Sequence, residues 1–210
     1  MFSLKRFQQV PVMGIVRGLD WEELSSILPA FAEAGLNTLE ITLNTIDAPQ
    51  LIRRVQAVSG DRIQVGAGTV RTMQDLAVAL DAGASFIVTP ILDLEVVGAC
   101  TKESIPVFPG AFTPTEIHQA HQAGATMVKV FPASAMGPDY IRNLKAPMPD
   151  ILLMPTGGID LGVLPRFKAA GADAYGIGSP LFPKELLARR DEAAWLAHFS
   201  SFASSSRHTS

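Results

Sequence analysis

The chain has 210 residues, of which 48% are hydrophobic and 18% are charged, a size that suits one domain. Its 20 acidic and 17 basic side chains leave a formal net charge of −3, which argues against a nucleic-acid or membrane-binding surface. The single Cys100 excludes an internal disulfide, and no cluster of cysteines or acids suggests a metal site. No segment approaches the roughly 20 apolar residues of a membrane helix. We therefore expect a cytoplasmic protein that needs no metal or cofactor.

Eight short apolar segments follow one another along the chain, often β-branched and mostly ending in Gly, Pro or Thr. They cover residues 12–17, 38–42, 63–69, 86–90, 105–109, 127–131, 151–156 and 172–178. Runs of this length without polar alternation are typical of parallel strands that are buried on both faces.

Amphipathic segments with helix-capping residues lie between these strands. Asp20, Thr72, Thr113 and Asp160 precede such segments, and Ala-Gly pairs close them at 34–35, 82–83, 123–124 and 170–171. The alternation predicts a single-domain α/β protein, a (β/α)8 TIM barrel over residues 1–200 with a short N-terminal helix. We expect residues 201–210 to form a frayed tail. An open doubly wound sheet is the alternative architecture.

Two charged side chains interrupt strands that are otherwise apolar. Lys129 lies inside the segment 127–131, and Glu40 lies inside the segment 38–42. Desolvation favours a neutral amine, which can attack a ketone and form a Schiff base. A buried carboxylate can in turn move protons. The alternative is that Lys129 and Glu40 form only a structural ion pair.

The ends of the predicted strands carry residues suited to an anionic substrate. Arg17 ends the first strand, where its guanidinium suits a carboxylate or phosphate, or else the acidic start of the next helix. Glycine-rich turns at 156–159 and 176–180 follow the seventh and eighth strands, which is where barrels commonly bind phosphate. Cys100 and the histidines are expected away from the active site; these are His118, His121, His198 and His208.

Five segments taken together resemble the KDPG/KHG aldolase family. This family comprises the aldolases of 2-keto-3-deoxy-6-phosphogluconate (KDPG), of its phosphogalactonate counterpart and of 4-hydroxy-2-oxoglutarate (KHG). The segments are EITLN (40–44), GAGTV (66–70), KVFPA (129–133), PTGGI (155–159) and GIGS (176–179), and the likeness runs from about residue 8 to 200. The resemblance implies a metal-free, homotrimeric class I aldolase that cleaves KDPG to pyruvate and glyceraldehyde 3-phosphate.

The same resemblance implies a role for each candidate site residue. Lys129 forms the Schiff base, and Glu40 transfers the proton of the C4 hydroxyl. Arg17 and Thr69 hold the pyruvate carboxylate. The remaining substrate-binding residues shape the pyruvate pocket (Pro90, Phe131), lie near C4 (Thr156) or hold the phosphate (Gly157, Gly158, Gly178, Ser179).

Two residues favour different substrates within that family. Asn44 together with Arg17 matches the phosphogalactonate type, whereas Thr156 matches the phosphogluconate type, and the two substrates are C4 epimers. KDPG is the main prediction, with the phosphogalactonate and KHG as alternatives. An alternative of another class is a non-catalytic barrel that binds a sugar phosphate.

Overall fold

Nine parallel strands form two sheets in the computed structural model, which describes residues 1–189 and 191–207. The first sheet has the order β5-β4-β3-β2-β1-β9, and the second has the order β6-β7-β8. The strands are β1 (Val12–Val16), β2 (Thr38–Thr42), β3 (Gln64–Gly68), β4 (Ile87–Val88), β5 (Val107–Phe108), β6 (Gly110–Ala111), β7 (Val128–Val130), β8 (Leu153–Pro155) and β9 (Tyr175–Ile177). Each of the eight predicted segments contains one of these strands.

The two sheets meet at both edges, so the parallel arrangement is curled. Thr156, directly after β8, forms a parallel bridge with Gly176 of β9. At the other edge Pro109 separates β5 from β6, because proline has no N–H to continue the hydrogen-bond ladder. The Pro109 carbonyl nevertheless accepts a hydrogen bond of 2.9 Å from the N–H of Lys129. The architecture is therefore an α/β fold with a curled parallel sheet.

In the part of the chain that the structure describes, a helix lies between each pair of successive strands except β5 and β6. The helices are α1 (Leu4–Gln9), α2 (Trp21–Glu33), α3 (Ala48–Ser59), α4 (Met73–Asp81), α5 (Leu94–Lys102), α6 (Pro114–Gln122), α7 (Pro138–Lys145), α8 (Leu164–Ala169), α9 (Lys184–Arg189) and α10 (Glu192–Ser206). The short N-terminal helix that the sequence predicts is confirmed as α1.

Three of the four predicted helix caps are confirmed. The side chains of Asp20, Thr72 and Thr113 each accept a hydrogen bond from the backbone N–H three residues later. Asp160 instead accepts hydrogen bonds of 2.8 and 3.0 Å from the N–H groups two and three residues later. These bonds close a turn, and α8 begins only afterwards.

Apolar side chains pack on both faces of the strands, and this packing sets the direction of the site residues. One cluster lies between the strands and the helices. On the opposite face, the ring of Phe2 contacts those of Phe86 and Phe108, with centroids 5.1 and 5.5 Å apart. Met127 belongs to this second cluster. Because strand side chains alternate between faces, Lys129, two residues further on, points to the same side.

The C-terminal helix contradicts the predicted frayed tail over residues 201–206. Those residues continue α10, and Phe202 and Ala203 are 1% and 2% exposed. Burial of an aromatic side chain stabilises the last turns, although the serine-rich sequence suggests fraying. Residues 208–210 lie outside the described part of the chain. Among the described helices, none is both long and apolar enough to cross a bilayer.

Candidate active site

Lys129 and Glu40 meet across the curl of the sheet. Lys129 is the middle residue of β7 and Glu40 the middle residue of β2, so each comes from a different sheet. The Nζ atom of Lys129 lies 4.0 Å from Oε1 of Glu40, and the two residues are only 5% and 1% exposed. The sequence therefore identifies correctly the two buried charges that the fold brings together. This distance is too long for a direct hydrogen bond between the two groups, since charge-assisted hydrogen bonds measure about 2.7–2.9 Å.

The carboxylate of Glu40 is buried without a hydrogen bond from the described residues. Both of its oxygens are inaccessible and unpartnered there. Burial raises the pKa of the Glu40 carboxyl, and the charges of Lys129 and Arg17 oppose this rise only in part. Buried polar groups normally have partners, so an unpartnered carboxylate beside an amine is a candidate proton-transfer group.

Glycine at position 68 makes room for this carboxylate. A Cβ atom added to Gly68 would lie 1.8 Å from Oε1 of Glu40, far inside van der Waals contact. Gly68 is the last residue of β3 and pairs with Thr42 of β2, while Glu40 itself pairs with Gly66. Within the glycine-rich segment 66–70, Gly68 therefore makes room for the carboxylate, a role that the sequence pattern does not reveal.

An open cavity of about 970 Å³ lies beside this pair. It brings together seven of the eleven predicted site residues, which are Arg17, Phe131, Thr156, Gly157, Gly158, Gly178 and Ser179. Lys129 and Glu40 do not line it, but the ring centroid of Phe131, which does, is 5.4 Å from Lys129 Nζ. Thr69 and Pro90 do not line it.

The remaining two predicted residues, Thr69 and Pro90, are notable for their backbone conformation and backbone contacts. Thr69 has a φ of +58°, a left-handed conformation that is uncommon for a β-branched residue. Such strain is concentrated at functional sites. Pro90 packs against the backbone of Gly110, where an added Cβ would lie 2.4 Å from the Pro90 carbonyl carbon. These positions leave the binding roles of Thr69 and Pro90 as predictions.

Two glycine-containing loops form one side of the cavity. Gly157 and Gly158 have φ angles of +93° and +74°, and a Cβ on Gly158 would lie 2.7 Å from the Cβ of Ser134. Only glycine fits there. The second loop turns tightly, since the N–H of Leu181 donates to the Gly178 carbonyl at 2.9 Å. Loops of this kind present backbone N–H groups and favour anions.

Arg17 and Asn44 differ in their relation to the cavity. Arg17 is exposed, lines the cavity and lies close enough to Glu40 for its charge to lower the pKa of that carboxyl. Asn44 is exposed and does not line the cavity. The acids Asp20 and Glu23 cap each other's backbone N–H groups at the start of α2. Arg17, which directly follows β1, therefore supplies a positive charge to the cavity.

Three of the side chains that the sequence predicts away from the active site do not line the cavity in the structure. His121 lies on α6 and faces Asp150 with an N···O distance of 3.4 Å. Cys100 is buried in the core, and burial raises the pKa of its thiol to about 11, which makes it unreactive. His118 is exposed on α6. In the described residues no three His, Cys, Asp or Glu side chains cluster as metal ligands would.

His198 does not line the cavity, as the sequence predicts, but α10 brings it against a residue that does. Its Nε2 lies 3.1 Å from the carbonyl oxygen of Pro180, a residue that lines the cavity. Trp195, Phe199 and Phe202 surround the ring at helical spacing. That aromatic stripe is the only signal in the sequence that a buried helix face includes His198. Position 208 lies outside the described residues.

Comparison with known proteins agrees with this site. The sequence model of the KDPG and KHG aldolase family matches residues 4–197. The 2-dehydro-3-deoxy-6-phosphogalactonate aldolase of Escherichia coli is 35% identical over 175 residues, 83% of this chain and 85% of that protein. The 2-dehydro-3-deoxy-phosphogluconate aldolase of Pseudomonas aeruginosa is 36% identical over 188 residues, 88% of this chain and 82% of that protein.

Solved structures agree with the sequence comparisons. A native KDPGal structure has a TM-score of 0.85 with 32% identity and covers 94% of each chain. KDPG aldolase from Legionella pneumophila, solved with pyruvate as a covalent carbinolamine intermediate, has a TM-score of 0.81 with 25% identity, covering 96% of each chain. With the family match extending over nearly the whole chain and the buried lysine–glutamate pair in place, the protein belongs to the KDPG and KHG aldolase family and is an aldolase, a carbon–carbon lyase.

Proposed function

We propose that the protein cleaves 2-keto-3-deoxy-6-phosphogluconate to pyruvate and glyceraldehyde 3-phosphate through a Schiff base on Lys129. The observation that carries this proposal is the buried Lys129 amine, 4.0 Å from a Glu40 carboxylate that accepts no hydrogen bond from the described residues. An amine in such a place is suited to attack a ketone, and a desolvated carboxylate beside it is suited to take a proton. The covalent pyruvate in the Legionella pneumophila relative supports the same chemistry.

The proposed reaction uses both groups in turn. The Lys129 amine attacks the C2 ketone, and loss of water leaves a protonated imine. Glu40, directly or through water, takes the C4 hydroxyl proton while the C3–C4 bond breaks, and the imine accepts the electron pair as an enamine. The aldehyde leaves, C3 of the enamine gains a proton with the help of Glu40, and hydrolysis releases pyruvate. The raised pKa of the Glu40 carboxyl makes it a stronger base for the first proton transfer.

The substrate has a carboxylate at one end and a phosphate at the other, and the cavity lining includes a guanidinium and two glycine-containing loops that suit such anions. We assign the carboxylate to Arg17 and Thr69, and the pyruvate pocket to Phe131 and Pro90. A guanidinium offers paired donors to a carboxylate. The phosphate is assigned to the loops that carry Gly157, Gly158, Gly178 and Ser179, which line the cavity and can offer backbone N–H groups and one hydroxyl.

Borohydride reduction in the presence of pyruvate tests the proposal. Reduction of an imine adds a stable adduct that peptide mass mapping locates on one residue. We expect the adduct on Lys129 in the wild type and none in Lys129→Ala, with KDPG cleavage lost in that variant. Lys145→Ala is the control, because Lys145 is also partly buried but pairs with Asp173 at 2.6 Å. Absence of an adduct from folded wild type would favour the non-catalytic sugar-phosphate-binding alternative.

The phosphogalactonate epimer is a second candidate substrate. Asn44 together with Arg17 matches the galactonate type in the sequence, Arg17 lines the cavity, and the Escherichia coli relative carries that name. Thr156 favours the gluconate type and also lines the cavity. The ratio of kcat/KM for the two epimers decides between them, and KHG as a third substrate measures how much the phosphate contributes.

We further propose that the two sheets close into one eight-stranded barrel, and that three chains associate in the cytoplasm. The barrel proposal is supported by β5 and β6, which form one strand interrupted at Pro109.

The association of three chains is supported by exposed apolar side chains, among them Ile91 and Leu94, which are 54% and 55% exposed. Light scattering should then report three times the chain mass of 22.4 kDa.

A further inference from the structure

A histidine of the C-terminal helix α10 forms a hydrogen bond with the loop between β9 and α9. Nε2 of His198 lies 3.1 Å from the carbonyl oxygen of Pro180. Proline offers no N–H and its carbonyl can only accept, so the imidazole must be the donor, through Nε2–H. Burial lowers the pKa of the His198 ring, while the carbonyls of Pro180 and Leu181 partly oppose this.

The ring itself is fixed in place by its neighbours on α10. Its centroid lies 6.0 Å from Trp195, 6.0 Å from Phe199 and 5.2 Å from Phe202. A side chain packed on several sides has few rotamers left, so its hydrogen bond costs little additional entropy. The donor is thus presented to the Pro180 carbonyl in one orientation.

Pro180 directly follows the loop residues assigned to the phosphate. The loop is a tight turn, with Leu181 N–H bonded to Gly178 O at 2.9 Å and Phe182 N–H bonded to Ser179 O at 3.2 Å. Leu181 and Phe182 are buried and anchor the far side of the turn. Gly178 and Ser179 face the cavity. The His198 bond adds to these backbone hydrogen bonds a contact from a side chain of α10 to the middle of the turn.

We propose that His198 is a positioning residue for phosphate binding, acting through the Pro180 carbonyl on the Gly178–Ser179 turn; this rests on the proposed function. Anion binding by backbone N–H groups depends on their directions, because hydrogen bonds weaken steeply away from linearity. Without the bond, the turn samples more conformations, and the phosphate must order it again on binding. The imidazole does not touch the substrate, so the step at Lys129 proceeds without it.

Two substitutions separate the hydrogen bond from the packing. His198→Phe keeps an aromatic ring among Trp195, Phe199 and Phe202 but removes the donor. His198→Gln places an amide N–H near the position of Nε2 and serves as the rescue variant. Phe7→Leu, in the aromatic cluster at α1, is the control for a general loss of core packing, since Phe7 contacts Phe2 and Phe108.

The measurements are the calorimetric affinity for inorganic phosphate, KM for KDPG and for KHG, and the yield of the pyruvate adduct after borohydride reduction. We expect His198→Phe to weaken phosphate binding and raise KM for KDPG by about fivefold, the effect of one lost neutral hydrogen bond. KM for KHG and the pyruvate adduct should stay at wild-type values. His198→Gln should recover most of the phosphate affinity, and Phe7→Leu should leave it unchanged.

Two results would overturn the inference. One is an unchanged phosphate affinity in His198→Phe; the other is an equal loss in Phe7→Leu, which would make the effect one of general stability. Failure of the proposed function looks different, because the wild type would then form no pyruvate adduct at all. The phosphate titration reports on the loop in that case too, since it requires no turnover.

Discussion

Substitution of Gly68 by alanine adds one methyl group at the point where the Glu40 carboxylate lies. The new Cβ would lie 1.8, 2.3 and 2.5 Å from Oε1, Cδ and Cγ of Glu40. Ordinary van der Waals contact begins at 3.4 Å, so the carboxylate must withdraw by about 1.6 Å. Gly68 has no positive φ, so alanine is compatible with its backbone. The substitution therefore displaces the proton-transfer group without imposing backbone strain.

The expected effect is selective for the steps that need Glu40. A misplacement of about 1 Å at a reacting group costs as much as 10²-fold in rate. We therefore expect cleavage of KDPG by Gly68→Ala to fall by about 100-fold, which corresponds to roughly 2.7 kcal/mol in the activation free energy. Lys129 is on β7 and keeps its place. The pyruvate adduct should still form on it.

A coupled assay that reduces pyruvate to lactate measures cleavage, and borohydride reduction measures imine formation. The double variant Gly68→Ala with Glu40→Gln should be hardly slower than Glu40→Gln alone, because both substitutions remove the same function. Gly98→Ala on α5 is the matched control: among the residues that the structure describes, none has an atom within 4 Å of the added Cβ, so activity should be unchanged.

Three outcomes would contradict this reasoning. Near-wild-type cleavage by Gly68→Ala would mean that the carboxylate does not act from its observed position. Parallel loss of the pyruvate adduct would mean that the substitution disturbs the whole site. Fully additive effects in the double variant would mean that Gly68 acts independently of Glu40.

Two further predictions concern Glu40 and Thr156. Because burial raises the pKa of the Glu40 carboxyl above its ordinary value of 4.5, ionisation of this group lowers the stability of the folded state as the pH rises through the raised pKa. Glu40→Gln mimics the protonated form, so at pH 7 its melting temperature should exceed that of the wild type, by about 2–4 °C for each kcal/mol of unfolding free energy. Below pH 4.5 the two proteins should melt at the same temperature. Scanning calorimetry across this pH range measures the difference, and a pH-independent difference would contradict the cause. Thr156→Val keeps the side-chain volume but removes the hydroxyl of a residue that lines the cavity, so the kcat/KM ratio of KDPG to its C4 epimer should fall by about tenfold. Steady-state kinetics with both epimers measures this ratio, and an unchanged ratio would exclude Thr156 from the choice.

The sequence predicts strands, caps and the two central charges because each leaves a local mark. A buried parallel strand is a short apolar run, and a charge inside such a run stands out, as Lys129 and Glu40 do. Helix caps also depend on a few adjacent residues, which is why Asp20, Thr72 and Thr113 are correctly predicted. The serine-rich end of α10 is predicted wrongly, because the burial of Phe202 outweighs local propensity.

The approach of distant segments is decided by the tertiary structure alone. Lys129 and Glu40 are 4.0 Å apart because β7 and β2 face each other across the curled sheet, and no local pattern encodes that distance. The same holds for Gly68, whose missing side chain matters only because Glu40 lies against it, and for His198, which α10 returns to the Pro180 carbonyl. Residue types and their periodicity are written in the chain one position at a time, and they determined the elements and the candidate chemistry. Contacts between elements depend on how buried faces pack together, and packing is a property of the whole fold.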